Sequence, residues 1–320
     1  MITIRLFFIR VYFLYPYTFY IRLMQEQQPA NDNLFSSKGV NKSQERRLQF
    51  IDFRLRWEGR INRTDLTEFF GISIPQASLD IAKYSEIAPS NLVYDRSSKT
   101  YVSTPQFCAT YQRSSAHRYL SELFASKTGI IDPATSFIGS APEIDWTPSP
   151  WRTISESAVD ALVKAIRENL AVRIRYQSMS TLDESLRLLS PHALCNDGFR
   201  WHVRAYCHNK QSFRDFVIAR ILDINGFEPN EVDPLKDVQW HTFVTLILAP
   251  HPDLSLAKKR VIEIDYGMID GEASLTCRQA LLFYTLKRLG LYERGSFNPV
   301  TQQIILKNRE EIQPFIDELT

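Results

Sequence analysis

Six polar side chains crowd a short stretch of strand-like sequence: His192, His202, Arg204, Tyr206, Arg214 and Arg220. Trp201, Val203 and Ala205 alternate with His202, Arg204 and Tyr206, which is the period of a strand with two unlike faces. Phe216, Ile218 and Arg220 alternate in the same way with Val217 and Ala219. So many polar groups on one face cannot be buried unpaired. Two readings satisfy that rule. One is a solvated sheet face carrying surface ion pairs. The other is a concave site whose guanidinium forks meet a phosphate or carboxylate.

Catalysis is harder to find in these residues. His192, His202 and His208 suggest metal ligands or an acid–base pair, but no Asp, Glu or Cys stands at metal-ligand spacing beside His202 and His208. Gly-x-Ser-x-Gly, the P-loop and Gly-x-Gly-x-x-Gly are all missing from the chain. No catalytic residue, metal ligand or cofactor is therefore expected. A nucleic-acid-processing enzyme and an RNA-binding regulator using the His/Arg-rich strands are the competing classes.

A second set lies upstream, in INRTDLTEFFGISIPQASLDIAKY. Asn62 can cap a helix through Phe70 that buries Leu66, Phe69 and Phe70. Gly71 suits the left-handed residue of a tight turn. Ser73 can cap a following helix and Pro75 fits its first turn. Two short helices joined by such a turn are the helix-turn-helix signature. Leu79 and Ala82, with Ile74 or Ile81, are expected to pack inward. Gln76, Ala77 and Ser78 are expected to face out near the start, with Asp80 and Lys83 further on. Gln reads adenine bidentately, Ala touches a thymine methyl, and Ser bonds base or phosphate. NLVYDRSSKTYVS then reads as two strands, Leu92–Tyr94 and Thr100–Val102, around a basic tip. The expected DNA contacts are Arg63, Thr64, Ser73, Gln76, Ala77, Ser78, Lys83, Arg96, Ser98 and Lys99.

Other elements must position these two sets. From Ser43 a helix presents Leu48, Phe50, Ile51, Phe53, Leu55 and Trp57, with Arg46, Arg47, Arg54, Arg56 and Arg60 between them, and stops at Gly59. Ser114 or Ser115 can cap a helix to about Ala125 that turns Tyr119, Leu120 and Leu123 inward. Residues 128–152, with two glycines and four prolines, read as a linker. A helix from Ser155 to Leu170 carries Val159, Leu162, Val163 and Ile166 in register. AVRIRYQ is a half-buried strand, and Asn196-Asp197-Gly198 is a hairpin turn. Beyond Trp240-His241 the pattern reads strand (FVTLILAP), helix after Ser255 with Leu256, Val261 and Ile264, and strand (GMIDGEASLTC). A helix from Cys277 to Leu289, a strand (QQIILKN) and a helix over Arg309–Leu319 complete it. That order fits a small antiparallel sheet with helices, an α+β sandwich.

The chain has 320 residues, 44% hydrophobic and 23% charged, with a net charge of +2. This is the usage of an ordinary globular chain of about two or three domains. It excludes collagen-like and largely disordered proteins. Four scattered cysteines without a Cys-x-x-Cys pair argue against a disulfide framework or zinc finger and fit a reducing cytoplasm. Residues 24–130 carry 14 basic and 11 acidic side chains, residues 131–320 carry 21 and 25. The front is thus mildly basic, which permits a nucleic-acid contact there without demonstrating one. Residues 1–23 are aromatic and aliphatic but broken by Arg5, Arg10 and Arg22. Their longest uncharged stretch, Val11 to Ile21, is too short for a membrane-spanning helix, and no secretory cleavage site follows. The expected reading is an overcalled start, with Met24 opening a disordered leader.

The strand-rich segment resembles the WYL domain, found behind a winged helix in bacterial transcription regulators. The resemblance rests on Ser190-Pro191-His192, Gly198, Trp201-His202-Val203, Ala205-Tyr206 and Arg214-Asp215-Phe216-Val217-Ile218-Ala219-Arg220-Ile221. His202-Val203 stand where the name-giving Tyr-Leu would be. WHVRAYC followed by FRDFVIARI is similar to the subgroup of WYL repressors encoded beside BREX and CBASS phage-defence systems. The resemblance implies an α+β chain: a leader (1–42), a winged helix-turn-helix (43–127), the linker (128–152), a WYL Sm-like β-barrel (153–232) and a C-terminal extension (233–320). It implies a homodimeric, cytoplasmic, DNA-binding repressor of its own or a neighbouring defence operon, acting on a pseudo-palindromic operator. The barrel would sense a nucleotide or single-stranded nucleic acid through Tyr176, Ser178, Ser180, His192, Trp201, His202, Arg204, Tyr206, Arg214, Phe216 and Arg220. An aromatic beside Arg forks suits base stacking combined with phosphate pairing.

Overall fold

The computed structural model describes residues 41–148, 150, 152–179, 182–293, 295 and 298–318. The apolar stretch 1–23, the rest of the leader up to residue 40, and Ser180 lie outside the described residues. The chain divides into two compact units between Thr147 and Pro148.

The front unit opens with α1 (Lys42–Glu58), whose cap Asn41 accepts a hydrogen bond from the Gln44 N–H at 2.8 Å. Gly59 ends it in the left-handed region at φ 73°. Leu48, Phe50, Ile51, Phe53 and Leu55 are fully buried and form the centre of the core. A short strand β1 (Arg60–Ile61) precedes α2 (Arg63–Phe70) and α3 (Ile74–Ile87). Strands β2 (Leu92–Asp95) and β3 (Thr100–Ser103) form the hairpin, and β1 joins it in an antiparallel sheet of order β1-β3-β2. This is a winged helix. Helix α4 (Ala116–Lys127) follows, capped by Ser115. Leu123 is buried on it, whereas Leu120, expected inward, is exposed. The expected linker differs more. Phe137 is fully buried against Phe50, Phe53, Phe69 and Phe70, so that part of the segment belongs to the front core.

One buried carboxylate ties these pieces together. Asp52, in the middle of α1, accepts from the Tyr84 hydroxyl at 2.6 Å and the Ser114 hydroxyl at 2.5 Å. It also accepts from the backbone N–H groups of Thr110 (3.0 Å) and Tyr111 (3.3 Å). Asn91 donates to Tyr84 Oη at 2.9 Å and accepts from the Cys108 N–H at 3.0 Å. α1, α3 and the chain leaving the wing therefore meet at one group. Burial and the neighbouring Asp52 push the Tyr84 phenol well above its ordinary range, so it stays a donor.

The second unit begins with α5 (Glu156–Glu168), capped by Ser155 and ended by Asn169 at φ 51°. Ala158, Ala161, Leu162 and Ala165 face inward, and Val163 is exposed. The helix covers a sheet made of β4 (Leu170–Tyr176), β5 (Ser185–Asn196), β6 (Trp201–Cys207), β7 (Ser212–Val217) and β8 (Ile221–Pro229). All pairings are antiparallel, in the order β7-β6-β5-β4-β8. Register shifts near Ile174, Tyr176 and Ala193 bend it. The sheet stays open: β7 and β8 are its two edges and do not pair among the described residues, so the expected barrel is not closed. Ile218–Arg220 forms a single turn of 3-10 helix between β7 and β8 rather than prolonging a strand. The Asn196-Asp197-Gly198 turn is present, with Gly198 at φ 94°.

The same unit continues through α6 (Val238–His241), β9 (Phe243–Pro250), α7 (Leu256–Tyr266), β10 (Ala273–Arg278), α8 (Leu282–Arg288), β11 (Ile304–Leu306) and α9 (Arg309–Asp317). Its sheet has the order β10-β9-β11, antiparallel throughout. Leu282, Leu286 and Leu289 are buried together, as their spacing predicts. Cys277 lies in β10, so helix α8 starts later than expected. Of α7 only Ile262 is buried; Leu256, Val261 and Ile264 are exposed. No described helix is long and apolar enough to cross a membrane.

The Asp52 knot gives a direct test. Asp52→Asn keeps the shape but replaces an acceptor oxygen with a donor against buried donors. It is expected to destabilise the front unit by about 3 kcal/mol, read as faster amide hydrogen exchange in α1 and α3. Glu68→Gln on the exposed side of α2 should change it by less than about 0.5 kcal/mol.

Candidate functional site

In the front unit, α2 is set by its own first turn, where the Asn62 N–H donates to Asp65 Oδ2 at 2.6 Å. Gly71 makes the turn at φ 65°. Ser73 Oγ accepts from the Gln76 N–H at 3.4 Å and starts α3. The rotation of α3 about its axis differs from expectation. Ala77, Asp80, Ile81 and Tyr84 are buried. Asp80 accepts from Arg47 Nε at 2.6 Å and from the side-chain amides of Gln44 (3.3 Å) and Gln76 (3.2 Å). Ala77 is therefore a core residue and does not reach a ligand. Asp80 is no outward group either, and Gln76 is half-buried and engaged with it. Leu79 (63% exposed) and Ile74 (64%) face outward instead, as does Ala82.

The remaining candidates are accessible. Arg63, Thr64, Ser73, Arg96, Ser98 and Lys99 are exposed, and Ser78 and Lys83 are half-exposed. Lys83 pairs with Glu86 at 3.0 Å, and the Ser78 hydroxyl donates to the Ile74 carbonyl at 3.0 Å. Arg63 leans on Tyr101, donating to its hydroxyl at 3.3 Å. The wing tip is shaped by Asp95, which accepts from Ser98 Oγ at 2.6 Å and the Ser97 N–H at 2.9 Å. These bonds, the Ser98 hydroxyl first, hold the Asp95 carboxyl below its ordinary range.

The polar strands behave otherwise. Their residues do not share one face. Cross-strand pairs put Tyr176 and Phe216 among the inner core residues, and Phe216 is buried there. His192, His202 and Arg204 lie on the other side, where each is engaged by groups of the chain itself. Arg204 is buried and donates to both oxygens of Asp237, from Nε at 2.7 Å and from an Nη at 2.8 Å. It also reaches Asp215 at 3.3 Å and Gln239 at 3.1 Å. His192 Nε2 donates to the same Asp237 Oδ2 at 2.9 Å. His202 Nε2 bonds Asp197 Oδ2 at 3.0 Å, and its ring lies 5.0 Å from that of Tyr284. The His202 Nδ1 has no partner among the described residues. Arg204, His192 and His202 are thus already engaged by carboxylates of the chain, and Phe216 is packed in the core.

Burial opposes ionisation of Asp237 and Asp197. Hydrogen bonds outweigh it: from Arg204 and His192 to Asp237, and from His202 and the Phe199 and Arg200 N–H groups to Asp197. Both carboxyls sit well below their ordinary range. Asp215 goes the other way, because burial exceeds the attraction of its more distant Arg204. Burial pushes the Cys195 thiol, close by, up to about 12, so it remains protonated.

Trp201 stays accessible (49% exposed) at the start of β6, Arg214 is exposed, and Tyr206 and Arg220 are half-buried. Arg214 donates to Ser212 Oγ at 2.9 Å. Ser178 is half-buried beyond β4. The sequence reading missed Arg187. Its guanidinium lies 5.7 Å from the Tyr176 ring centre and 5.9 Å from that of Phe216. Pairing of Ile174 with Arg187 and of Ala205 with Arg214 places both arginines on the face of the sheet that carries Tyr176. The sequence holds a signal for it, since Arg187 falls in phase with Leu189 in a strand-like run. A depression of about 240 Å³ lined by Arg173, Leu186, Leu188, His208 and Asn209 contains none of the expected ligand residues. No group of three or more His, Cys, Asp and Glu able to hold a metal occurs among the described residues.

Comparison with known proteins follows the same division. Residues 43–125 match the BrxR transcriptional regulator winged helix-turn-helix domain, 157–225 the WYL domain, and 243–312 the BrxR transcriptional regulator C-terminal dimerization domain. Relatives extend over nearly the whole length. A DNA-binding transcriptional repressor CapW of Stenotrophomonas maltophilia is 47% identical over 285 residues, 88% of this chain and 95% of the relative. Its namesake in Escherichia coli (strain KTE188) is 45% identical, covering 90% and 96%. That of Pseudomonas aeruginosa is 42% identical, covering 92% and 99%.

The Arg204 network yields a stability test. Arg204→Ala leaves Asp237 buried without its main partner and should cost about 3–5 kcal/mol, measured as a lower urea midpoint. The acid limb has a definite sign. Asp237 and Asp197 have folded values below their unfolded ones, so their stabilisation is complete above about pH 4 and is lost as the pH falls further. The midpoint of the unmodified protein should fall on going from about pH 6 to about pH 3. The Asp237→Asn protein, weaker at the upper pH, should fall by less.

Proposed function

The chain belongs to the family of the CapW DNA-binding transcriptional repressors, and from that premise we propose that it is itself a homodimeric repressor of an operator near its own gene. The observation that carries this reading is the exposed side of α3, bordered by Ser73, Ser78 and Lys83 and accompanied by Arg63, Thr64 and the wing residues Arg96, Ser98 and Lys99. A helix at this place in a helix-turn-helix enters the major groove while its neighbours hold phosphates. The match of residues 243–312 to a dimerization domain supports two copies. Two recognition helices then meet successive major grooves about 34 Å apart, so the operator is a pseudo-palindrome. The defence-operon setting follows from the family resemblance.

The second half of the proposal concerns relief of repression in the bacterial cytoplasm. An anionic effector, a nucleotide or a short single strand, binds the accessible part of the WYL sheet. Arg214, Arg220 and Arg187 meet its phosphates, and Ser178 and Trp201 border the base; Tyr176 is buried beside Arg187, and Tyr206 lies on the opposite face of the sheet. The effector favours a dimer geometry with the wrong helix spacing and so lowers DNA affinity. Arg204, His192 and His202 have no part in binding it.

Fluorescence anisotropy at near-physiological salt tests the first half. Duplex DNA from upstream of the gene should bind about a thousandfold more tightly than a scrambled duplex. Equal binding, or a preference for single-stranded RNA, would contradict it. Lys99→Ala should weaken both duplexes alike and reduce the salt slope by about one. For the second half, Arg214→Ala and Arg220→Ala should leave operator binding intact while blunting release by short single-stranded oligonucleotides. Undiminished release by both variants would remove this face from the mechanism.

A further inference from the structure

The outward stripe of α3 is apolar. Pro75, Leu79 and Ala82 follow one another at helical spacing on its accessible side, with Ile74 beside the first of them. A single leucine in water needs no explanation, but this one occupies the place in a helix-turn-helix that faces base edges. The usual hydrogen-bonding reader is missing from that stripe. Gln76 needs its amide nitrogen and oxygen together to read adenine, and the nitrogen is bonded to Asp80 at 3.2 Å. Asp80 is itself buried and locked to Arg47 at 2.6 Å. Beyond Ala82 the stripe ends at the exposed Glu86, which is paired with Lys83, and the same unit exposes the cations Arg63, Arg96 and Lys99 on its other elements. An apolar centre among cations complements the major groove of a duplex, where thymine methyl groups lie between phosphate backbones.

We propose that this protein reads its operator chiefly through thymine methyl groups, packed against Leu79 and flanked by Ile74, Pro75 and Ala82. Gln76 acts as a positioning residue that helps fix the rotation of α3. The proposal rests on the repressor reading above and specifies how that surface discriminates among sequences. Each methyl removed from water on binding is worth about a fourfold change in affinity. The half-site facing the start of α3 therefore contains at least one thymine that no other base replaces without loss.

Deoxyuridine tests this, since it pairs as thymine does and differs only by the methyl. The full-length protein is first offered a pool of random duplexes and a preferred sequence is selected. Each thymine of a half-site is then replaced singly by deoxyuridine and the affinity measured by anisotropy. The expected result is an about fourfold weakening at one or more positions. In Leu79→Ala that sensitivity should disappear at the same position, with melting temperature unchanged because Leu79 is exposed. Gln76→Ala should keep the thymine preference, because Arg47 still holds Asp80 and with it the rotation of α3; loss of that preference with the melting temperature unchanged would make Gln76 the base reader and overturn the proposal. Insensitivity to deoxyuridine at every position, with a preferred duplex in hand, overturns the proposal alone. So does a Leu79→Ala protein that binds the duplex unchanged but alters its oligomeric state, which would make the stripe a protein contact. Failure to select any preferred duplex overturns the repressor reading together with it.

Discussion

A guanidinium taken out of water must be met by carboxylates, and in this protein that requirement fixes what the WYL sheet can do. Arg204 sits on the central part of β6 and is buried, so its charge is matched by Asp237 and Asp215. Asp237 also receives His192 and the Trp240 N–H, which starts α6. Over β6 the outer side of the sheet is thereby covered by the segment that leads into the C-terminal part of the same unit. The inner side is filled by α5 and the aliphatic core. Arg214, Arg220 and Trp201 remain accessible to a ligand, and on the outer side Arg173 and Leu186 stay exposed. Removing one member of the network leaves a buried charge unmatched, which is why such pairs constrain structure more than they add stability.

The front unit obeys the same rule at smaller scale. Asp80 is buried, so α3 must turn it toward Arg47 of α1. That rotation brings Ala77, Ile81 and Tyr84 into the core and leaves Leu79 outside. The composition of the exposed face is thus a consequence of one ion pair. Asp52 performs the complementary task by holding the backbone that leaves the wing against α1 and α3.

Much of the architecture is legible in the sequence because its signals are local. Asn62, Ser73, Ser115 and Ser155 start helices by caps that a reader of the chain can see, Gly59 and Gly71 end them, and Asn196-Asp197-Gly198 makes its hairpin. The winged-helix hairpin and the succession of strands and helices along the tail follow from similar marks. What could not be read is which charged residues are buried. Arg47 and Asp80 lie 33 residues apart, and so do Arg204 and Asp237. Without that pairing, apolar periodicity alone puts Leu79 inside and Ala77 outside, and treats Arg204 as a ligand group. That the sheet stays open is illegible for a related reason, since closure depends on pairing between the sheet's first and last edges. Phe137 was lost in a proline-rich segment whose composition speaks of a linker while one aromatic ring anchors it to the core.

Repressor function joins these two halves through symmetry. A winged helix alone gives weak, largely electrostatic attraction to DNA; in the proposed dimer, a pair held at fixed spacing would convert the proposed apolar readout into a specific one. The most direct test of that account is a hydroxyl-radical footprint of the purified protein on the region upstream of its gene. Two protected half-sites related by a pseudo-twofold axis are expected, with centres one helical turn, or a whole number of turns, apart. A single protected half-site, or uniform protection without such spacing, would contradict it.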